Sequence, residues 1–425
     1  MINPDGRRLI ATRSLRGFAD GLVAASLAGY LGDQLGYSAT RIGVIVTGML
    51  LGSAVLTMFT GTWGWRFQRR LLLRVGALLM VTTGLVFATS TTFFVLLALG
   101  VIGTMNPGGS DVSVVQPIEQ SLLPLTTDAE HRSNVFARYT FFGGSLAALG
   151  ALSAGLPARL HWPAESVFVV YAVAGVAMLG VYATMSPDVE AAAQVTTPTP
   201  LGPSKRIVYR LAALFSLDSF GGGFAVQSLL VLWLLRRHHF TVGKAGVVLG
   251  VMQILAAASG FIAVRIERRL GPLRTMAFTH LPGQILLIAA ALMPNAPLAV
   301  ACLIGRSLLS SMDVPVRNAY VMSVVTPAER AAAASVTNVP RSLASALPPI
   351  AAGWMLDHSR FGWPLIIGGS LKIIYDLLLL RMARDTAAES AAAAADGLGQ
   401  DAGAMTPPGD RLHDGEDDRD PTHDG

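Results

Sequence analysis

The sequence predicts an all-α membrane protein with twelve transmembrane helices in two six-helix bundles related by a pseudo-two-fold repeat. Three observations carry this prediction. First, of 425 residues 52% are hydrophobic and only 14% charged, against about 25% charged in a soluble domain, and the mean hydropathy is +0.52. Second, apolar runs of about 20 residues recur, the length that crosses a ~30 Å hydrocarbon core as a helix. Third, the second half of the chain echoes the first. This composition excludes an ordinary soluble enzyme.

The first six runs fall at about 14–34, 40–61, 71–90, 93–122, 134–156 and 166–186, and the second six at about 207–235, 242–264, 273–293, 297–325, 332–356 and 363–383. The first run carries Arg16 and Asp20 and has no small-residue cleavage site, so it reads as a retained span and not as a signal peptide. Runs four and ten are long, and Pro107, Pro117 and Pro315 predict kinks there that neighbouring helices must support. The stretch 187–204, rich in Pro, Thr and Ala, is a polar linker between residues 14–186 and 205–385. Beyond Asp385 the chain turns to Ala, Gly and Asp, so residues 386–425 are expected to be a disordered acidic tail.

Charge orients the spans. Residues 386–425 hold 10 acids and 2 bases, whereas residues 1–385 hold 17 acids and 30 bases. In a body of apolar spans such bases mark cytoplasmic loops and not a nucleic-acid surface. Arg7, Arg8 and Arg13 precede span one, Arg66, Arg69 and Arg70 follow span two, Lys205 and Arg206 precede span seven, and Arg265, Arg268 and Arg269 follow span eight. All lie on one side if both termini, including residues 1–13, are cytoplasmic. Arg236, Arg237 and Lys244 run against the rule on the other side. Trp162, Trp233, Trp354 and Trp363 fall at the predicted outer ends, where an aromatic belt and ordinary packing both fit. A multi-pass protein of a bacterial plasma membrane is the expected setting. The one cysteine, Cys302, allows no internal disulfide and reads as a buried, inert thiol.

The repeat is the most specific signal. Tyr37-Ser38-Ala39-Thr40-Arg41-Ile42-Gly43-Val44 is echoed by Phe240-Thr241-Val242-Gly243-Lys244-Ala245-Gly246-Val247, with base and glycine in register. Arginines follow each glycine at the same spacing, at Arg66 and Arg269. Asp111-Val112-Ser113-Val114 matches Asp313-Val314-Pro315-Val316, and later Arg138 matches Arg341 and Gly150 matches Gly353. Two such halves joined by a polar linker, with basic loops after spans two and eight, resemble the major facilitator superfamily of secondary transporters. In that family the loop after the second helix commonly reads Gly-x-x-x-Asp-Arg-x-Gly-Arg-Arg. Here it reads Gly61-Thr62-Trp63-Gly64-Trp65-Arg66-Phe67-Gln68-Arg69-Arg70, with Trp65 in the place of the acid. An inner-gate role for an acid at that position does not carry over. Span five is rich in small residues but lacks the Gly-Pro of the family's drug/proton antiporters.

Charges inside spans are expensive, roughly 2.5–3.5 kcal/mol each near the bilayer centre, and so mark function or pairing. In the resembled family helices one, four, seven and ten line the central cavity, and each here carries an aspartate. Asp218 and Asp20 are proton-coupling candidates, either taking up a proton or forming a static pair, and each lies beside glycines that weaken a helix. Arg306, near mid-depth, either grips a carboxylate or phosphate of a substrate or neutralises Asp218 across the cavity. Asp111 with Arg138 and Asp313 with Arg341 occupy equivalent places in the repeats and are gating-pair candidates, with Glu119 competing for Arg138. Asp313 with Arg317, and Lys372 with Asp376, share a helix face by their spacing. Asn106, Gln227 and His280 are cavity candidates, or bond between helices.

No phosphate-cradling loop, HExxH or nucleophile elbow occurs, and His238-His239 lacks partner acids at metal spacing. The sequence therefore points to no enzyme, no metal and no cofactor. What the resemblance implies is a monomeric secondary transporter of a small organic solute, proton-coupled, with export favoured and alternating access between the halves. Its partners are the solute, protons and lipid. Uptake of an organic anion through Arg306 is the alternative within that class, and a non-transporting sensor or scaffold acting through the acidic tail is the alternative outside it.

Overall fold

The computed structural model describes residues 2–108, 115–191, 201–309, 312–326 and 329–403. It omits the side chains at 61, 62, 65, 129, 133, 188, 191, 260–268, 270, 314, 315, 318, 331 and 385–403. Among the described residues every regular element is helical. The spans are α1 (Pro4–Gly29, continued by a π-helical turn Tyr30–Gln34), α2 (Ala39–Trp63), α3 (Arg69–Thr89), α4a (Phe93–Ile102), α4b (Val115–Leu122), α5 (Arg132–Leu152) and α6 (Ser166–Ala183) in the first half. In the second half they are α7a (Lys205–Gly223), α7b (Gln227–His238), α8 (Val242–Leu270), α9 (Pro272–Leu292), α10a (Ala296–Leu309), α10b (Asp313–Ser323), α11a (Arg330–Ala346), α11b (Pro348–His358) and α12 (Trp363–Gly403). These twelve spans form the two six-helix bundles that the repeat predicts.

Eight spans are long and apolar enough to cross a membrane by themselves: α2, α3, α5, α6, joined α7a–α7b, α8, α9 and α12. The four that fall short have a shared cause. Helix α1 carries Arg13, Arg16 and Asp20 in its interior, and α4, α10 and α11 are divided into shorter pieces. Polar groups and broken backbone at membrane depth are tolerated where they are enclosed by protein or line a cavity. The kink expected at Pro107 is a full interruption of span four, whereas Pro117 and Pro315 lie in the first turns of α4b and α10b.

Within each bundle, glycines let helices approach at the same pairing. A Cβ on Gly21 of α1 would run into the Ala147 carbonyl of α5, and one on Gly150 of α5 into the Phe18 carbonyl of α1. In the second bundle a Cβ on Gly223 of α7a would lie 2.5 Å from the Ser345 carbonyl of α11a. Helix α1 runs unbroken through Gly21, so this glycine serves packing and not the helix weakening expected from the sequence. Its N-terminus is fixed by Asn3, whose side chain accepts from Gly6 N at 2.8 Å, with Pro4 in the first turn.

Let the terminal face be the one at which α1 and α7a begin, and the distal face its opposite. Contacts between bundles gather toward the distal face: α2 packs on α11b, α5 on the first turns of α8, and α1 on α7b. The terminal-side pieces α4b, α7a and α10b pack within their own bundles.

Three expectations need correction. Trp233 is fully buried in the core, while Trp162, Trp354 and Trp363 are exposed, so only these three suit an interfacial belt. Cys302 is half-buried and not enclosed. Helix α12 continues to Gly403, so the tail is helical that far, where disorder was expected; its run from Ala391 to Ala395 is the strongest helix-forming composition available. Residues Arg381–Gly425 form a unit of their own, and 404–425 lie outside the described residues, as do linker residues 192–200 and Asp111.

Candidate functional site

Two helix interruptions meet across the bundles. Helix α4a ends at Ile102 and the chain passes through Asn106, Pro107 and Gly108, while α7a ends at Gly223 and α7b starts at Gln227. The Ser228 amide, at the start of α7b, donates to the Pro107 carbonyl at 3.2 Å. Helix α7b has 12 residues, so at 1.5 Å per residue the meeting lies about 18 Å from the distal end, close to mid-membrane. Asn106 is buried there and accepts from Gly108 N at 3.1 Å. Gln227 is half-buried beside it, its Oε1 enclosed without a partner. Two of the sequence-selected cavity residues thus sit where unwound backbone and the enclosed Gln227 Oε1 come together, the arrangement used for binding in transporters with discontinuous helices.

On the terminal side of this junction the second bundle holds a buried cluster of charges. Lys372 Nζ of α12 donates to Asp218 Oδ1 at 2.6 Å, and Arg317 Nη1 of α10b approaches Asp218 Oδ2 at 3.5 Å. Arg317 also pairs with Asp313 at 3.1 Å and rests against the Phe215 ring, 5.4 Å from its centroid. His280 of α9 faces three ways: Nδ1 toward Asp376 Oδ1 and Oδ2 at 3.0 and 3.1 Å, and Nε2 toward Gln284 Nε2 at 2.9 Å and Asp218 Oδ1 at 3.7 Å. Arg341 of α11a donates through Nε to Ser219 Oγ at 2.9 Å. One network therefore links α7a, α9, α10b and α12.

This geometry changes several sequence readings. Asp218 is neutralised by Lys372 and Arg317, not by Arg306. Arg306 is half-buried and makes none of the described ion pairs, and its enclosed Nε has no hydrogen-bond partner. Lys372 and Asp376 share a helix face but turn to Asp218 and His280 instead of each other, because charges on neighbouring helices lie closer than their own i+4 neighbours. The Asp313–Arg317 pair forms as its spacing suggests. Asp313 and Arg341 make no ion pair with each other in this conformation, since each has a nearer partner. His280 is only 3% exposed, enclosed by Asp376, Gln284 and Asp218.

The first bundle has its own cluster. Glu119 of α4b is fully buried and accepts from Thr12 Oγ1 at 2.6 Å, Arg16 Nη2 at 2.9 Å, Tyr139 OH at 2.6 Å and Tyr182 OH at 2.7 Å. It does not take Arg138, which is exposed on the other side of α5; its neighbour Tyr139 makes the contact. Asp111, the other half of that candidate pair, is outside the described residues. Asp20 is buried within electrostatic reach of Arg16 and Tyr171. Sequence reasoning passed over Tyr139 and Tyr182, whose ring-and-hydroxyl character looks apolar in a span. Arg16 carried a usable signal, being four residues before Asp20.

Basic residues after span two lie at the terminal face. Arg66 is exposed, and the amides of Arg69 and Arg70 donate to Glu190 Oε2 and Oε1 at 2.9 and 2.8 Å. A carboxylate from beyond α6 thus caps α3, a start that Gln68 leaves without a side-chain cap. Glu329 acts similarly near the linker, accepting from Ser204 Oγ at 2.7 Å, from Gly202 N, and from Thr326 Oγ1 at 2.8 Å. The bonds from Ser204, Gly202 and Thr326 hold its carboxyl at about 2.

At the distal face Asp357, just past the apolar part of α11b, reaches the other bundle. It accepts from Ala39 N, Thr40 N and Thr40 Oγ1 at 2.7 Å each, and from Arg236 Nη1 at 3.0 Å. The carboxylate thereby caps α2 and ties the bundles together.

A family model, the Major Facilitator Superfamily, matches residues 9–309. The chain belongs to this superfamily. A relative by sequence is an uncharacterized membrane protein of Saccharomyces cerevisiae, YJR124C, 24% identical over 424 residues that cover 89% of this chain and 94% of that protein. Superfamily transporters of known structure share the fold. The nucleoside transporter NupG is 15% identical with a TM-score of 0.70, covering 89% of this chain and 98% of that one. A D-xylose–proton symporter is 15% identical with a TM-score of 0.68, covering 88% and 96%. A bacterial homologue of the human lysosomal transporter Spinster, solved in an inward-facing and unoccupied conformation, is 15% identical with a TM-score of 0.67, covering 89% and 96%.

Proposed function

We propose that this superfamily member is a proton-coupled secondary transporter of a small organic solute. Residues 14–186 and 205–385 rock about a mid-membrane site, opening it alternately to either side. The observation that carries the reading is the junction of Pro107 with Ser228, where interrupted helices of both bundles meet beside a buried network of ionisable groups. Bundles joined at the distal face and separately packed at the terminal face fit a conformation open toward the terminal side. With the basic loops at that face, the terminal side is the cytoplasm. Solute and protons are the partners, and the Asp218 cluster is where proton movement is coupled.

A second reading concerns the solute. Among the described residues Arg306 has no carboxylate partner and Arg341 only a hydroxyl, so a carboxylate or phosphate on the solute would complete them. Substituting Arg306→Lys keeps the charge but loses the planar fork, and a solute clamped through it should bind at least about tenfold more weakly.

The test is flux in proteoliposomes over a broad compound set, with and without an imposed pH gradient. The reading expects accumulation of at least one solute that collapses with a protonophore and is lost in Asp218→Asn. The sign of the flux decides export or uptake. Undiminished gradient-driven flux in a folded Asp218→Asn variant would remove the cluster from coupling.

A further inference from the structure

The buried His280 has an environment that suits both of its protonation states. An ionised Asp376 offers only acceptors, so the nitrogen facing it, Nδ1, is the one that carries hydrogen. In the neutral ring Nε2 then holds the lone pair, and the Gln284 amide NH₂ donates to it at 2.9 Å. This placement leaves Gln284 Oε1 buried without a partner. A half-turn of the amide exchanges the two atoms, bringing Oε1 to the position where it accepts from a protonated Nε2. The orphaned oxygen is unsatisfied in one state and required in the other. An unmatched polar atom buried in the membrane is costly, and here the turn of one amide matches Nε2 in either state.

The second feature is what stands beyond Nε2. Asp218 Oδ1 lies 3.7 Å away and is already bonded to Lys372, while its other oxygen faces Arg317. A proton on Nε2 places a third cation against that one carboxylate, and the hold of Lys372 and Arg317 on it weakens. The charged and titratable groups around the ring are Asp218 from α7a, Asp313 and Arg317 from α10b, Arg306 from α10a, and Lys372, Tyr375 and Asp376 from α12. Those with described side chains on α8, Lys244 and Arg269, lie at its two ends. Asp376 and His280 sit on helices away from the junction of α4 and α7, so the proton is held one layer behind the solute.

We propose that His280 carries the coupled proton, with Asp376 fixing Nδ1–H, the Gln284 amide turning over as Nε2 gains its proton, and Asp218 releasing Lys372 in response. The proton comes from and returns to the aqueous phase, and the only covalent change is the N–H bond made and broken at Nε2. This assignment rests on the proton-coupled reading above.

The experiment uses the full chain in lipid nanodiscs with ¹⁵N-labelled histidine, the His280 resonances being identified by their loss in His280→Gln. The neutral ring should be the Nδ1–H tautomer, and the protonated ring should appear as the pH is lowered. Asp376→Asn removes the acceptor-only partner of Nδ1–H and should admit the Nε2–H tautomer. Gln284→Leu should keep the tautomer but shift the Nε2 resonance of the neutral ring, which loses its donor. These two variants carry the test if His280→Gln fails to fold. In proteoliposomes carrying a solute found to move, His280→Gln should abolish the response of the flux to the pH gradient. A ring neutral throughout pH 5–8 overturns the assignment, even where wild-type flux follows the gradient. A titrating His280 with wild-type flux indifferent to the gradient sinks the proton-coupled reading, and the assignment with it.

Discussion

Removing Asp357 should loosen the distal seam by a calculable amount. Asp357→Ala takes away three acceptor bonds at 2.7 Å to the start of α2 and the contact with Arg236 at 3.0 Å. Loss of a helix cap costs about 1 kcal/mol and loss of a part-exposed ion pair up to about 1 kcal/mol. Only the cap on α2 spans the bundles, because Arg236 and Asp357 both belong to the second one, so the distal opening equilibrium should shift by about 1 kcal/mol, or roughly fivefold. The assay is labelling of Ser228→Cys, in a background where Cys302 is Ser, by an impermeant maleimide added from the distal side. Ser228 is fully buried, so its labelling rate tracks the open fraction. A rate unchanged within about twofold would refute the latch. The pH response can be signed. Burial alone would raise the Asp357 pKa, but the bonds from Thr40, Ala39 and Arg236 hold it at about 2, below the ordinary ~3.9. The contribution of a depressed acid is complete above its ordinary pKa and is lost as pH falls through about 2. Opening across pH 5–8 therefore owes nothing to this latch, and any pH dependence there must originate inside the bundles.

Further outcomes follow from the buried clusters and from helix packing. Asp218→Asn strands Lys372, while Arg317 keeps Asp313, and should cost about 3–5 kcal/mol, read as a lower Tm in detergent, whereas Asp218→Asn with Lys372→Gln should recover much of the Tm without restoring coupling. Glu119→Gln leaves Arg16 without its carboxylate and should destabilise to a similar degree, while Arg138→Ala, at an exposed site, should leave Tm within about 1 °C. Gly21→Val forces α1 from α5 at the Ala147 carbonyl and should cost at least about 1–3 kcal/mol by the same measurement; a neutral outcome would contradict the packing described.

The architecture was legible because hydropathy is a property of each segment alone: all twelve runs became spans, and their ends moved by few residues except at the start of α1 and the end of α12. Even the failures of apolarity in α1, α4 and α10 pointed to polar or broken segments. Side-chain partners were much less legible. The i+4 rule paired Lys372 with Asp376, but a lysine stem reaches across to α7a, and only the crossing of α12 with α7a and α9 decides which carboxylate each cation meets. Asp313 with Arg341, chosen from the repeat, failed to meet because the repeat fixes helix positions and not rotamers. Glu119 was noticed as an acid, but its four donors come from three other helices that no linear spacing connects.

The central claim is that the bundles move as bodies about the Pro107–Ser228 junction. Spin labels on exposed positions read this directly: Trp162 with Arg360 across the distal face, and Thr184 with Arg274 across the terminal face, in the reconstituted protein with Cys302 replaced. The account predicts two populations in which one distance lengthens as the other shortens. Distances that stay fixed, or that lengthen and shorten together, would contradict it.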